Sequence, residues 1–233
     1  MSSGHATCAV FFSGGKDSML ALDRSLRRGL PVTRLITLYD EASQRVRFHG
    51  TPITVMRAQA QALGLPIALY PTTPATFERV LLGALADLRR EGIATLIFGD
   101  IHLADVRAWY EDRVRAAGFD HLEPLWGEDP ATLANEVVER GYEAVITCIE
   151  DATAKPEWLG QTLSQPLLQS FAATGIDVCG ERGEYHTFVV DGPLFTSRVP
   201  ITTGTVHSEG GFRQLDMALA SSAPEAVSDG QAT

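Results

Sequence analysis

The 233-residue chain carries 19 basic and 29 acidic residues, a formal charge of −10, and 45% hydrophobic residues. That is length for one large or two modest domains with an ordinary core, and a charge that opposes general nucleic-acid binding, so nucleic acid is not an expected partner. Three scattered cysteines (Cys8, Cys148, Cys179) form neither a disulfide framework nor a CxxC zinc pair, and no signal-peptide pattern or roughly 20-residue apolar run is present, so a cytoplasmic protein without a membrane partner is expected.

Taken in chain order, apolar runs of strand length alternate with amphipathic helical segments up to about residue 150, the pattern of a parallel sheet covered by helices. Ala6 to Phe12 reads as the first strand, and Met19, Leu20, Leu22 and Leu26 then recur at helical spacing until Gly29 and Pro31. Val32 to Tyr39 is strand two. The polar residues Asp40 to Gly50 read as a loop into a helix from Pro52 to Leu63, with the proline in its first turn. Strand three is Ile67 to Tyr70, followed by a helix from Thr76 to Arg90, strand four at Thr95 to Phe98 and a helix from Ala104 to Ala117. A helix from Thr132 to Arg140 leads to Ala144–Ile149 as the expected fifth strand. Past Asp151 come a short helix near Leu163 to Ala173 and a glycine-rich, β-prone stretch to Met217. The division expected is an α/β domain over 1–151, a small α+β domain over 152–220 and a disordered tail over 221–233.

The strongest local signal is Ser13-Gly14-Gly15-Lys16-Asp17-Ser18, placed where an apolar strand meets an amphipathic helix. Unpaired amides and the macrodipole make a helix start an anion seat, and glycines let the backbone approach a phosphate closely. Lys16 adds a full charge, and Ser13 and Ser18 add hydroxyl donors. The string is neither a Walker loop nor GxGxxG; it is similar to the SGGxDS PP-loop of N-type ATP pyrophosphatases, which holds the phosphates that leave as pyrophosphate. Lys16 is then the catalytic charge on the departing pyrophosphate. Asp17 either helps to place magnesium on those phosphates or simply favours the positive helix end.

Ligands of open α/β sheets lie outside the carboxyl ends of the strands, which selects Tyr39-Asp40, Gly99-Asp100 and Glu150-Asp151, with Tyr39 and Gly99-Asp100 for the nucleotide; a plain strand-end turn explains Gly99-Asp100 equally well. The following run is dense in polar and aromatic groups, with Asp105, Arg107 and Tyr110 as substrate candidates; a solvated helix start with aromatic packing explains it equally well. A second constellation, Cys179-Gly180-Glu181-Arg182-Gly183-Glu184-Tyr185-His186-Thr187-Phe188, offers carboxylates at Glu181 and Glu184 for an amine or ammonium, Tyr185 beside them, and His186 as a proton shuttle near neutral pH. A charged hairpin turn is the alternative.

With Pro124-Leu125-Trp126 added, these four ordered motifs, across about Ala6 to Phe195, resemble the diphthine–ammonia ligase family. The resemblance implies a HUP-type five-stranded parallel sheet with helices on both faces and a small C-terminal domain that closes over ATP. It also implies a reaction: adenylation of the carboxylate of diphthine, a modified histidine on elongation factor 2, with displacement of AMP by ammonia or another nitrogen donor. Carried over, Ser13 to Ser18 bind ATP, Gly99-Asp100 flank it, and Glu181, Glu184 and Tyr185 lie near the acceptor.

The chain departs from that pattern at Asp105-Val106-Arg107-Ala108-Trp109-Tyr110, where a Tyr-Gln-Arg-like run is common, and at His186-Thr187, where Glu-Thr is common. Eukaryotic members carry additional C-terminal domains, whereas this chain is expected to stop soon after the core. Its alanine- and arginine-rich composition looks like that of a bacterial member, which puts another carboxylate acceptor in play. A homodimer is left open. The competing readings are tRNA thiolation, which wants reactive cysteines, and an ATP-binding sensor without turnover.

Overall fold

A computed structural model describes residues 7–220, so the tail expected over 221–233 lies outside the described residues. The first strand, β1 (Thr7–Phe11), runs down the middle of a sheet, flanked in parallel by β2 (Val32–Asp40) and β5 (Ile93–Ile97). Strand β4 (Ile67–Thr72) lies outside β2, and β6 (Asp120–Leu122) lies outside β5. The parallel order β4-β2-β1-β5-β6 reverses direction at β1 and β5, which is where such sheets bind ligands.

Helices α1 (Lys16–Arg27) and α2 (Ile53–Ala62) cover one face, with Met19, Leu20, Leu22 and Met56 fully buried. Helices α3 (Phe77–Arg90) and α4 (Ala104–Ala116) cover the other, through Leu81, Leu85, Leu88 and Val114. Helix α1 has Asp17 in its first turn and Arg24 and Arg27 in its last, each complementing the dipole. Pro52 stands at the N-cap of α2, one residue ahead of its expected place.

Helix α5 (Pro130–Glu139), capped by Asp129, leads into β7 (Glu143–Glu150). Here the structure corrects the expectation. Ala144–Ile149 does not complete the parallel sheet; β7 pairs antiparallel with β8 (Tyr185–Asp191) and with β10 (Phe212–Leu219). With β9 (Ile201–Glu209) these strands form a second sheet of order β8-β7-β10-β9. The parallel sheet takes β6 as its fifth strand, and the change of sheet falls before residue 143 rather than at 151. An apolar run buried on both faces has the same composition in either sheet, and the polar three-residue β6 carries no such run.

The second sheet packs on the α1 and α2 face, and one hydrophobic core extends from Met19 and Met56 to Phe188 and Val189. Helix α6 (Gln165–Thr174) joins the same core through Phe171, which contacts Trp158 and Tyr185. Asp23 on α1 is fully buried and pairs with Arg140 at 2.5 Å, tying the first half of the chain to the second.

The segment read as a loop between 40 and 50 contains a two-residue strand, β3 (Arg45–Val46), antiparallel to Tyr39 and Asp40. Those two residues also pair with β4, so β3 occupies the edge of β2 that β1 uses further back. The turn from 45 to 50 therefore sits beyond the end of β1, where the chain emerges into the Ser13–Ser18 loop.

Candidate active site

The Ser13–Ser18 loop leaves β1 and enters α1 through two glycines with different duties. Gly14 adopts φ +81°, and a Cβ there would lie 2.7 Å from Gln59 Oε1 and 2.8 Å from Met56 Sδ. Gln59 donates to the carbonyls of Gly14 at 3.0 Å and Val189 at 2.6 Å. At Gly15, the N-cap, a Cβ would meet the Thr187 carbonyl at 2.9 Å and His49 Cε1 at 2.8 Å. Strand β8 thus lies directly behind the loop, and Thr187 Oγ1 accepts the Lys16 amide at 3.0 Å.

Lys16 is 3% exposed. Its ammonium donates to Asp17 Oδ2 at 2.7 Å and to the carbonyl of Cys179, and it lies 5.0 Å from the centre of the Tyr185 ring. Burial is the largest single influence and works against the charge, but Asp17, Tyr185 and Cys179 together outweigh it and the pKa of Lys16 is raised. Two of its three N–H donors have partners within the protein, which leaves one for a ligand.

Loop and lysine open into a cavity of about 450 Å³ at the reversal point of the sheet, a volume within the range of small-molecule sites. The ends of β1 and β5 form its floor, including Ser13, Gly99 and Asp100. Gly99 has no room for a side chain, since a Cβ would be 3.0 Å from Asp17 C and Ser18 N. Phe11 and Phe98 stack at 4.4 Å, with Tyr110 tilted against both, to make an apolar wall. Opposite this wall stand Glu181, Tyr185 and His186 from the second sheet and the loop before it.

Charge in the cavity is predominantly acidic. Burial, then the charge of Asp17, raises Asp100 to about 6. The same two causes raise Glu181 to about 7, even though its Oε1 accepts the Ile101 amide at 3.0 Å.

Several sequence candidates stand elsewhere. Tyr39 is occupied by pairing with Val46 and Pro71, and the part of β2 that faces the cavity is Ile36 to Leu38. Leu103 at the N-cap of α4 and Val106 and Tyr110 within it line the cavity, whereas Asp105 and Arg107 do not. Arg107 instead lies 3.0 Å from Glu123 and stacks over Trp126 at 4.4 Å. Glu184 is buried, with one oxygen on the Asp177 amide at 3.0 Å and the other on the Arg182 amide at 3.1 Å; it closes its own turn. His186 lines the cavity, but burial and the neighbouring His49 and Lys16 hold its pKa well below 6.5, so it is neutral and does not shuttle a proton near neutral pH. Tyr185 donates its hydroxyl to Val178 O at 2.6 Å and presents only its ring to Lys16.

Other site residues escaped sequence reasoning. Gln59, His49 and Thr187 become visible only when β8 and the 45–50 turn are packed against the loop, and a carbonyl such as that of Cys179 leaves no mark in residue type. The cysteines are all buried: burial pushes Cys148 up to about 12 and raises Cys8 and Cys179, whose thiol donates to Pro130 O. None has the depressed pKa that thiolation chemistry needs.

A parallel sheet with a PP-loop at its reversal point and a second sheet closed against that loop defines a PP-loop ATP-dependent ligase. Family models of the diphthamide synthase N-terminal and C-terminal domains match residues 6–121 and 129–218. A diphthine–ammonia ligase of Bos taurus is 30% identical over 231 residues, covering 88% of this chain and 86% of that protein. Those of Rattus norvegicus and Homo sapiens are 26% and 23% identical with the same coverage. The chain belongs to the diphthamide synthase family.

Proposed function

We propose that the protein forms an amide in two steps within this cavity. An acceptor carboxylate oxygen attacks the α-phosphorus of ATP, the bond to the β-phosphate oxygen breaks, and pyrophosphate leaves with that electron pair. Ammonia then attacks the acyl carbon of the adenylate, loses a proton and displaces AMP. The observation that carries this reading is the opening of the Lys16-bearing loop into the same cavity as Asp100 and Glu181, at the sheet's reversal point.

In this reading Lys16 and the start of α1 stabilise charge on the departing pyrophosphate, with Ser13 as a further donor, while Ser18 gives its hydroxyl proton to Gly15 O at 3.1 Å. Gly99 lets the nucleotide lie against the β5 end, and the Phe11–Phe98–Tyr110 wall takes its apolar part. Asp100 and Glu181, neutralised more readily than ordinary carboxylates, can accept the proton that ammonia sheds. Among the described residues no group of three or more His, Cys, Asp or Glu could hold a metal by itself. Magnesium on nucleotides needs only one or two carboxylates besides phosphate, and Asp17, 28% exposed beside Lys16, fits that role. Such an ion would offset negative charge on the phosphates.

Diphthine is the acceptor named for the relatives and the first to test. Incubation with ATP, magnesium, ammonium and diphthine-bearing elongation factor 2 should release AMP and pyrophosphate and yield an amide. ADP as the product would overturn the reading, and tight ATP binding without turnover on any carboxylate acceptor would replace it with a sensor. AMP release without amide would show a different second nucleophile.

A further inference from the structure

The turn from 45 to 50 carries a cation and a strained aromatic residue that the reaction above does not use. Arg47 lines the cavity, is exposed and has no carboxylate partner within 4.0 Å among the described residues. Among the described residues it and Lys16 are the only Lys or Arg side chains that line the cavity, and Lys16 is already paired with Asp17. His49 and His186, on the same rim, are neutral at pH 7: burial lowers His49 to about 4 and holds His186 well below 6.5.

Beside Arg47 stands Phe48, 62% exposed and held at φ +64°, a left-handed conformation that is unfavourable for a bulky residue and is maintained only where surrounding contacts impose it. Those contacts are present on both sides. Arg45 pairs with Asp216 at 2.5 Å and donates to Gly50 O at 2.7 Å, and His49 Nδ1 lies 3.2 Å from Thr187 O. The Phe48 ring stacks on His186 with 6.2 Å between centroids and a 28° angle, and the Arg47 guanidinium lies 5.5 Å from the Phe48 ring centre. Position follows from His49, whose Cε1 stands 2.8 Å from where a Cβ on Gly15 would be, so Arg47 hangs two residues from a side chain that lies beside the loop.

The geometry points to Arg47 as a second phosphate-binding residue, one that grips the β and γ phosphates of ATP from the solvent side while Phe48 holds its guanidinium in place. This rests on the ligase reading and adds a residue to it. A triphosphate brings about four negative charges into a cavity that already holds Asp17, Asp100 and Glu181, so Lys16 and a magnesium ion leave a deficit that a guanidinium fork suits. Because Arg47 has no carboxylate partner among the described residues, no ion pair within the protein has to break before it meets a phosphate.

Calorimetric titration of the full chain with ATP and magnesium, with AMP, and with inorganic pyrophosphate tests this for the wild type, Arg47→Ala, Arg47→Lys and Phe48→Gly. Arg47→Ala should weaken ATP and pyrophosphate roughly ten- to hundredfold, the range for a lost charge-assisted contact, and leave AMP within about twofold. Arg47→Lys should fall between, keeping the charge but not the fork. Phe48→Gly, which relieves the left-handed strain, should weaken pyrophosphate by a smaller factor. ATP and pyrophosphate affinities unchanged in Arg47→Ala, or AMP weakened as much as ATP, would overturn the assignment of Arg47 while leaving the ligase reading intact. A wild-type protein that binds neither ATP nor pyrophosphate would overturn both.

Discussion

Residues 13–18 and residues 45–50 meet at one cavity but are held by different means. The phosphate loop is buried against β8, with Lys16 at 3% exposure and backbone partners on Gly14, Gly15 and Lys16. The turn is anchored at Arg45 and His49 and leaves Arg47 and Phe48 in solvent. A buried seat orders its groups before the ligand arrives, so its energy appears as stability as well as activity. An exposed tip contributes little to the fold, and its residues should be read through ligand affinity instead.

The largest effect should come from Lys16→Met, which removes the buried charge that the proposed reaction uses on the departing pyrophosphate. AMP release should fall by about 10²–10³-fold, the scale for losing one preorganised electrostatic group. A loss under about tenfold would reduce the loop to scaffold and erase the contrast with the turn. Gly15→Ala should come next, since its methyl would press on the Thr187 carbonyl at 2.9 Å, a backbone atom with little freedom to move. Denaturant unfolding should show about 1–3 kcal/mol of destabilisation. Thr187→Val leaves the Lys16 amide without its 3.0 Å acceptor and should cost about 1–2 kcal/mol by the same measurement, together with weaker ATP binding.

A pH effect extends the comparison to the edge of the site. Glu123 is raised from 4.5 to about 7 by burial first, then by Asp100. The folded state therefore holds this proton more tightly than the unfolded chain does. Its contribution is most favourable below about pH 4.5 and is lost as the pH rises through about 7. Glu123→Gln should flatten the decline in stability over that window, and an unchanged slope would show that Glu123 stays ionised against Arg107. Smallest of all, Phe48→Gly should leave stability unchanged or raise it by up to about 1 kcal/mol, because strain relief competes with added freedom in the unfolded chain.

Much of this architecture was legible in local patterns. Glycines, lysine and serines between an apolar strand and an amphipathic helix specify an anion seat through backbone geometry alone, and strand ends mark the cavity floor, as at Gly99-Asp100. Helical spacing on α4, followed one step further, would have separated Tyr110 from Asp105, five positions back, but not from Arg107, three positions back, whose turn toward Glu123 and Trp126 only packing decides. By contrast, Glu181 and Glu184 sit three apart in one string, yet one borders the cavity and the other holds its own turn closed. No local pattern separates those outcomes.

The sequence by itself determined the phosphate loop, the alternation of strands and helices, and the four motifs that carry the family resemblance, because each depends on neighbours a few residues apart. Only the tertiary structure decided that β7 belongs to the second sheet, that β8 backs the loop through Thr187, that the Cys179 carbonyl receives the Lys16 ammonium, and that Arg47 hangs over the cavity. Those facts join residues far apart in the chain, where hydrogen-bonding partners and burial are set by packing rather than by residue type.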